Sequence, residues 1–134
     1  MHKPSLIAAS IFGASAVIIG AFAAHALKKI LPADALQSVE TAVRYQMYHA
    51  IVLLALCSAK TWISAKRIKH IYRLLVSGIL CFSGSIYLLL FLKMNQVIGL
   101  SGLGIVTPIG GILLILAWVL LFIEAYNFKE NSTK

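Results

Sequence analysis

Residues 4–27 read PSLIAASIFGASAVIIGAFAAHAL, a stretch without a single Asp, Glu, Lys or Arg. About 20 consecutive apolar residues carry a helix across a hydrocarbon core roughly 30 Å thick. A globular helix would instead pair an apolar stripe with a charged opposite face. Three more stretches of this kind follow, so the chain reads as an all-α, multi-pass membrane protein.

The spans are expected at about 5–26, 45–64, 74–92 and 104–125, packed as an antiparallel four-helix bundle in a single membrane domain over 1–134. Between the first two, Pro32 stops the first helix and Asp34 stands as an N-cap, with Gln37 completing a capping-box variant. Leu36, Val39 and Val43 share one face, while Glu40 and Arg44 form an i, i+4 pair. This pattern predicts a short amphipathic interfacial helix over 34–44 that lies on the membrane surface and runs into the second span. In the first span, Ala9, Gly13, Ala16, Gly20 and Ala24 form a small-residue stripe that would admit a neighbouring helix closely. The general richness of membrane helices in Gly produces similar patterns. Residues 127–134 read as a polar tail.

Composition agrees. The chain has 134 residues, is 60% hydrophobic and only 12% charged, and its mean hydropathy is +0.92. An average soluble domain carries about twice that charged fraction. The spans use up most of the length and leave no room for a separate soluble catalytic domain. The net charge of +8 could suit nucleic acid, but the basic residues sit in short connections between apolar runs, where lipid headgroups are the natural partner. Nucleic acid is therefore not an expected partner. Cys57 and Cys81 fall inside apolar runs without paired spacing and read as small hydrophobes. The N-terminus resembles a signal peptide, yet its apolar stretch exceeds the usual h-region of about 7–15 residues, so the first span is expected to be retained.

Four spans put the N-terminus, the middle connection and the C-terminus on one side. That side holds eight Lys/Arg and the other holds four, which predicts that both termini are cytoplasmic. Lys66, Arg67, Lys69 and Arg73 are the candidate headgroup contacts. Tyr45, Tyr48, Trp62 and Tyr126 are expected in interfacial belts.

Polar groups inside a bilayer are costly and mark candidate sites. With the spans as drawn, His25, Tyr45, Gln46, His49, Ser85, Tyr87 and Thr107 come to one outer third of the bundle. They either satisfy one another and pin the helices, or bind a small polar molecule, a headgroup or a proton. His25 and His49 could in principle ligate a haem iron or divalent metal. No carboxylate or thiolate lies at ligand spacing beside either, so no metal or cofactor is expected. No Ser–His–acid constellation, nucleophile elbow, HExxH pattern or phosphate-binding loop occurs, so no catalytic residue is assigned and no enzyme activity is expected. Glu124 reads as a solvated carboxylate at the inner end of span four, with a proton-coupled role as the sharper alternative.

Four ordered motifs carry a family resemblance: Gly20-Ala21-Phe22-Ala23-Ala24-His25-Ala26-Leu27-Lys28, Tyr45-Gln46-Met47-Tyr48-His49-Ala50, Phe82-Ser83-Gly84-Ser85-Ile86-Tyr87, and Thr107-Pro108-Ile109-Gly110-Gly111 followed by Trp118. Together they resemble the domain of unknown function 423, a family of small membrane proteins that includes the eukaryotic transmembrane protein 256. Ala23 departs from the glycine of that pattern. The resemblance implies a four-span bacterial inner-membrane protein and supplies no activity. The leading expectation is a non-enzymatic membrane protein acting through lipids, a second copy of itself or another membrane protein. The alternatives are a small oligomeric transporter or channel component for a small solute or protons, and a redox or enzyme subunit using His25 and His49.

Overall fold

A computed structural model describes residues 1–95 and 101–128, so the polar tail beyond Phe128 lies outside the described residues. Among those described there are only helices. Helix α1 spans Lys3–His25 and α2 spans Ala33–Leu56; α3 (Ala65–Ile79) continues through a π-helical turn (Leu80–Gly84) into α4 (Ser85–Met94), and α5 spans Val106–Asn127. Short 3₁₀ turns at Leu27–Lys29, Ala59–Thr61 and Ser101–Ile105 make the connections. Three helical stretches are long and apolar enough to cross a membrane: Lys3–Lys29, Ala65–Met94 and Val106–Asn127. At 24 residues α2 has the length as well, about 36 Å at 1.5 Å per residue. Its Glu40, Arg44, Gln46 and His49 lower its hydropathy.

Antiparallel pairing follows from which residues meet. In the first pair, Gly20 faces Val43, Gln46 reaches Phe12 and Ser15, and the His2 amide donates to the Cys57 carbonyl at 2.8 Å. In the second, Ser85 meets Thr107, Gly78 meets Leu114, and Arg67 meets Glu124. The Ser83 hydroxyl, donating to the Ala42 carbonyl at 2.8 Å, ties the two pairs together. Leu53, Leu56, Ile68, Ile71, Leu75 and Leu114 fill the core at the end that carries both termini.

The segment expected as a surface helix departs from the sequence reading. Residues 33–44 are the first turns of α2, continuous with the rest of it. Val39 and Ala42 are buried, and Val43 packs on Gly20 of α1. An apolar face that can lie on headgroups can also lie on another helix, and α1 supplies one. The cap shifts with it. Pro32, extended at φ −64° and ψ 155°, is the N-cap, and Asp34 sits in the first turn without capping. Glu40 and Arg44 do not pair through their charged groups: the Arg44 Nε donates to the Glu40 carbonyl at 3.3 Å, and its guanidinium leans on the Thr41 hydroxyl. The small-residue stripe is partly used. Ala9 and Ala16 are buried, but a side-chain carbon at Gly13 would meet nothing within 4 Å and Ala24 is exposed.

Candidate functional site

Because α2 begins at Ala33 and not near Tyr45, Tyr45, Gln46 and His49 lie at its middle. Gln46 thus sits midway along the bundle beside Phe12 and Ser15 of α1, while Ser85 and Thr107 meet at the outer end where α5 begins. The hub is Gln46. Its Nε2 donates to the Phe12 carbonyl at 2.9 Å and to the Ser15 hydroxyl at 2.7 Å, and its Oε1 accepts from the Tyr87 hydroxyl at 3.1 Å. One amide thus joins α1, α2 and α4. Tyr87 lies nearer the loop-side end than Gln46, yet they meet because helical side chains lean toward their own N-termini and the two helices run in opposite directions.

His49 is occupied at both ring nitrogens. Its Nδ1 lies 2.7 Å from the Tyr45 carbonyl, which can only accept. Its Nε2 lies 3.3 Å from the Trp118 indole nitrogen, which can only donate. Those partners require the neutral Nδ1–H tautomer and use the one lone pair that a metal could take. The Tyr45 ring stacks on Phe82 with centroids 4.5 Å apart. The π-helical turn carries Phe82 and Ser83, and beside it the Ser85 hydroxyl donates to the Phe82 carbonyl at 3.0 Å and meets the Thr107 hydroxyl at 2.6 Å. Among the described residues every buried side-chain nitrogen or oxygen has a hydrogen-bond partner.

His25 stands apart. It ends α1, exposed, and the pairing of Gly20 with Val43 puts it roughly 16 Å along the axis from His49 at 1.5 Å per residue. The two imidazoles cannot share a ligand. Among the described residues no group of three His, Cys, Asp or Glu side chains could hold a metal. Both cysteines are free. Tyr45 and Tyr48 sit mid-helix and do not form a belt; Trp62 and Tyr126 do lie near helix ends.

At the end carrying the termini, Lys66, Arg67, Lys69 and Arg73 are all exposed. Arg67 is partly committed elsewhere, with its Nε 3.2 Å from a Glu124 carboxylate that is only 17% exposed. Glu124 is thus an ion-paired group and not a solvated one. His2 lies at the same end, with its Nδ1 2.8 Å from the Ser5 hydroxyl and its ring edge-on to Tyr72. Burial, then Lys60, Lys69 and the N-terminal amine, hold its pKa below the ordinary 6.5.

Sequence reasoning missed Ser15 and Trp118 as members of the network. Trp118 had a signal: an indole N–H within an apolar span needs an acceptor, and the His49 ring supplies one. Ser15 gave none, because its role depends on which turn of α1 faces Gln46.

Comparison with known proteins identifies the family. Residues 19–111 match the family described as protein of unknown function (DUF423). The chain belongs to this family. It is 39% identical to a UPF0382 membrane protein of Haemophilus influenzae over 98% of this chain and 99% of that one. It is 34% identical to the UPF0382 membrane protein YwdK of Bacillus subtilis, over 94% and 98%. It is 30% identical to the UPF0382 inner membrane protein YgdD of Escherichia coli, over 95% and 92%. No solved structure matches the chain. As a DUF423 member the protein is a membrane protein, and Gln46, His49, Ser85, Tyr87 and Thr107 fall within the matched residues.

Proposed function

We propose that this DUF423 protein is a non-enzymatic inner-membrane protein that works through contacts with membrane proteins or lipids, with both termini in the cytoplasm. The observation that carries the reading is the internal use of Gln46 and His49: the Gln46 amide bonds α1 and α4, and the His49 ring bonds the Tyr45 carbonyl of its own helix and Trp118 of α5. A substrate would have to break bonds whose loss in a dry interior costs on the order of 1–3 kcal/mol each. A transport reading needs a wet route from His49 toward Glu124, and Leu53, Leu56, Ile71 and Leu75 fill that space.

The orientation rests on charge. The N-terminus, the 57–64 connection and the end of α5 lie together, and with them six of the ten Lys/Arg among the described residues. The YgdD name supports the inner-membrane assignment for this chain. Reporter fusions at the C-terminus test the topology: a cytoplasmic reporter is expected to be active and an export-dependent one silent. Extraction into lipid nanodiscs, followed by mass spectrometry of what copurifies, tests the function. A stoichiometric protein or lipid supports the reading. Catalytic turnover by the purified protein, or solute flux in proteoliposomes, contradicts it.

A further inference from the structure

A groove of about 500 Å³ runs between α2 and α5. Ile51, Ala55 and Trp62 line one side of it, and Trp118, Phe122 and Ala125 the other. Leu56 and Leu121 also line it and belong to the core packing behind. Its place in the bilayer follows from α5, which is one of the stretches long and apolar enough to cross a membrane. Along α5 the lining runs from Trp118, past the middle of the helix, to Ala125 in its last turn, roughly 10 Å at 1.5 Å per residue. That length fits within one leaflet, whose half of the hydrocarbon core is about 15 Å. The inner end is shut where the Trp118 indole bonds His49. The other end opens at the 3₁₀ turn Ala59–Thr61, where Ala59 and Trp62 are lining residues and Lys60 between them is exposed.

We infer that this groove seats one acyl chain of an anionic phospholipid from the leaflet on the side of the N-terminus, with the headgroup phosphate held by Lys60 and Arg67. Three observations favour a lipid over a protein segment. First, every lining side chain is aliphatic or aromatic, so the walls match a hydrocarbon chain and give a peptide backbone nothing to bond. Second, the groove stops at the His49–Trp118 bond. A crossing helix needs the full thickness of the core, about 20 residues, whereas an acyl chain belongs to one leaflet. Third, the charge at the open end has the sign that draws a phosphate. Lys3, Lys60, Lys66, Arg67, Lys69 and Arg73 lie at that end. The acid there among the described residues is Glu124, which holds Arg67 at the end of α5 through Nε at 3.2 Å and leaves the rest of that guanidinium for a second anion. Trp62 at the mouth has the amphipathic ring that suits headgroup level. The inference rests on the lipid-contact reading above and names the lipid class and its seat.

The chain has two tryptophans, Trp62 and Trp118, and both line the groove, so its own fluorescence reports the occupant. The full chain is placed in phosphatidylcholine nanodiscs doped with a minor fraction of phosphatidylglycerol or of phosphatidylcholine, brominated on the acyl chains to quench nearby indoles. Brominated phosphatidylglycerol is expected to reach half-maximal quenching at a mole fraction more than about fivefold below that of brominated phosphatidylcholine, the preference that a single basic residue near the surface supplies. Molar salt, which shortens the screening length to about 3 Å, is expected to shrink that preference. Lys60→Gln, at an exposed position that leaves the fold intact, is expected to lower it about fivefold. Ala55→Phe fills the groove and is expected to abolish it, with unquenched tryptophan emission at the wild-type wavelength as the check on folding. Equal quenching by the two brominated lipids, or a preference that Lys60→Gln and Ala55→Phe both leave unchanged, overturns the inference. So does a groove that neither lipid quenches because native mass spectrometry finds a second copy or another protein bound there; the broader reading of contacts with membrane partners then survives while the lipid seat falls.

Discussion

The two helix pairs of this bundle are held together by different physics. Where α5 crosses the π-helical turn, the backbones touch: a side-chain carbon added at Gly110 would strike the backbone of Cys81 and Phe82, and one at Gly78 would meet Leu114 at 2.5 Å. The α1–α2 pair is looser. Gly13 has open space beside it and Gly20 meets only a Val43 methyl at 3.2 Å, and the Gln46 amide bridges what shape leaves unfilled. One interface depends on the absence of atoms and the other on the presence of one polar group. In lipid both strategies are available, since apolar burial alone does not favour one helix partner over acyl chains.

The largest expected effect falls on the tight pair. Gly110→Ala forces apart two backbones that cannot yield as a flexible side chain could, and is expected to cost about 3 kcal/mol, the upper part of the usual range for overpacking. Gly13→Ala on the loose pair is expected to change nothing measurable. Thermal unfolding in nanodiscs, followed by Trp62 and Trp118 fluorescence, compares them; equal losses would erase the distinction between the pairs. Next comes Gln46→Leu, which keeps the volume and removes the bridge. Interhelical hydrogen bonds in membranes are worth about 0.6 kcal/mol on average and up to about 1.7. This one, being three bonds on one amide, is expected to cost about 1–2 kcal/mol and to leave the Tyr87 hydroxyl without a partner.

The smallest effect lies where the start of α1 meets the end of α2. His2 has a lowered pKa because burial and the positive charges of Lys60, Lys69 and the N-terminal amine disfavour its cation. The folded state therefore binds its proton less readily than the unfolded chain. Stability from this group is fully present above pH 6.5 and is lost as pH falls through the window between that value and the lowered one. Melting temperature is expected to drop modestly from about pH 7.5 to about pH 5.5 in wild type, and less in His2→Gln. A larger acid-induced drop in the variant would reverse the sign and refute the assignment.

The contrast also explains what the sequence could reveal. Long apolar runs report helices reliably, so three crossing stretches were legible, as was the antiparallel arrangement. Residues 34–44 were harder, because Leu36, Val39 and Val43 make the same stripe whether they face headgroups or α1. That one ambiguity displaced the start of α2 and with it the depth of Tyr45, Gln46 and His49. Most members of the polar network were identifiable as polar residues in apolar surroundings. Their partners were not, because pairing across helices depends on rotation and on the π-helical turn at Leu80–Gly84, neither of which leaves a periodic trace. His25 was grouped with His49 only through the misplaced depth.

The central claim is that Gln46 and His49 are spent on holding helices together, and His49 tests it most directly. Nitrogen NMR of the labelled imidazole in lipid nanodiscs reads its tautomer and both hydrogen bonds. The structure requires a proton on Nδ1, a hydrogen-bonded and unprotonated Nε2, and a change in the Nε2 signal on Trp118→Phe. A proton on Nε2, or an Nε2 signal indifferent to Trp118 and responsive to added metal or solute, would contradict it.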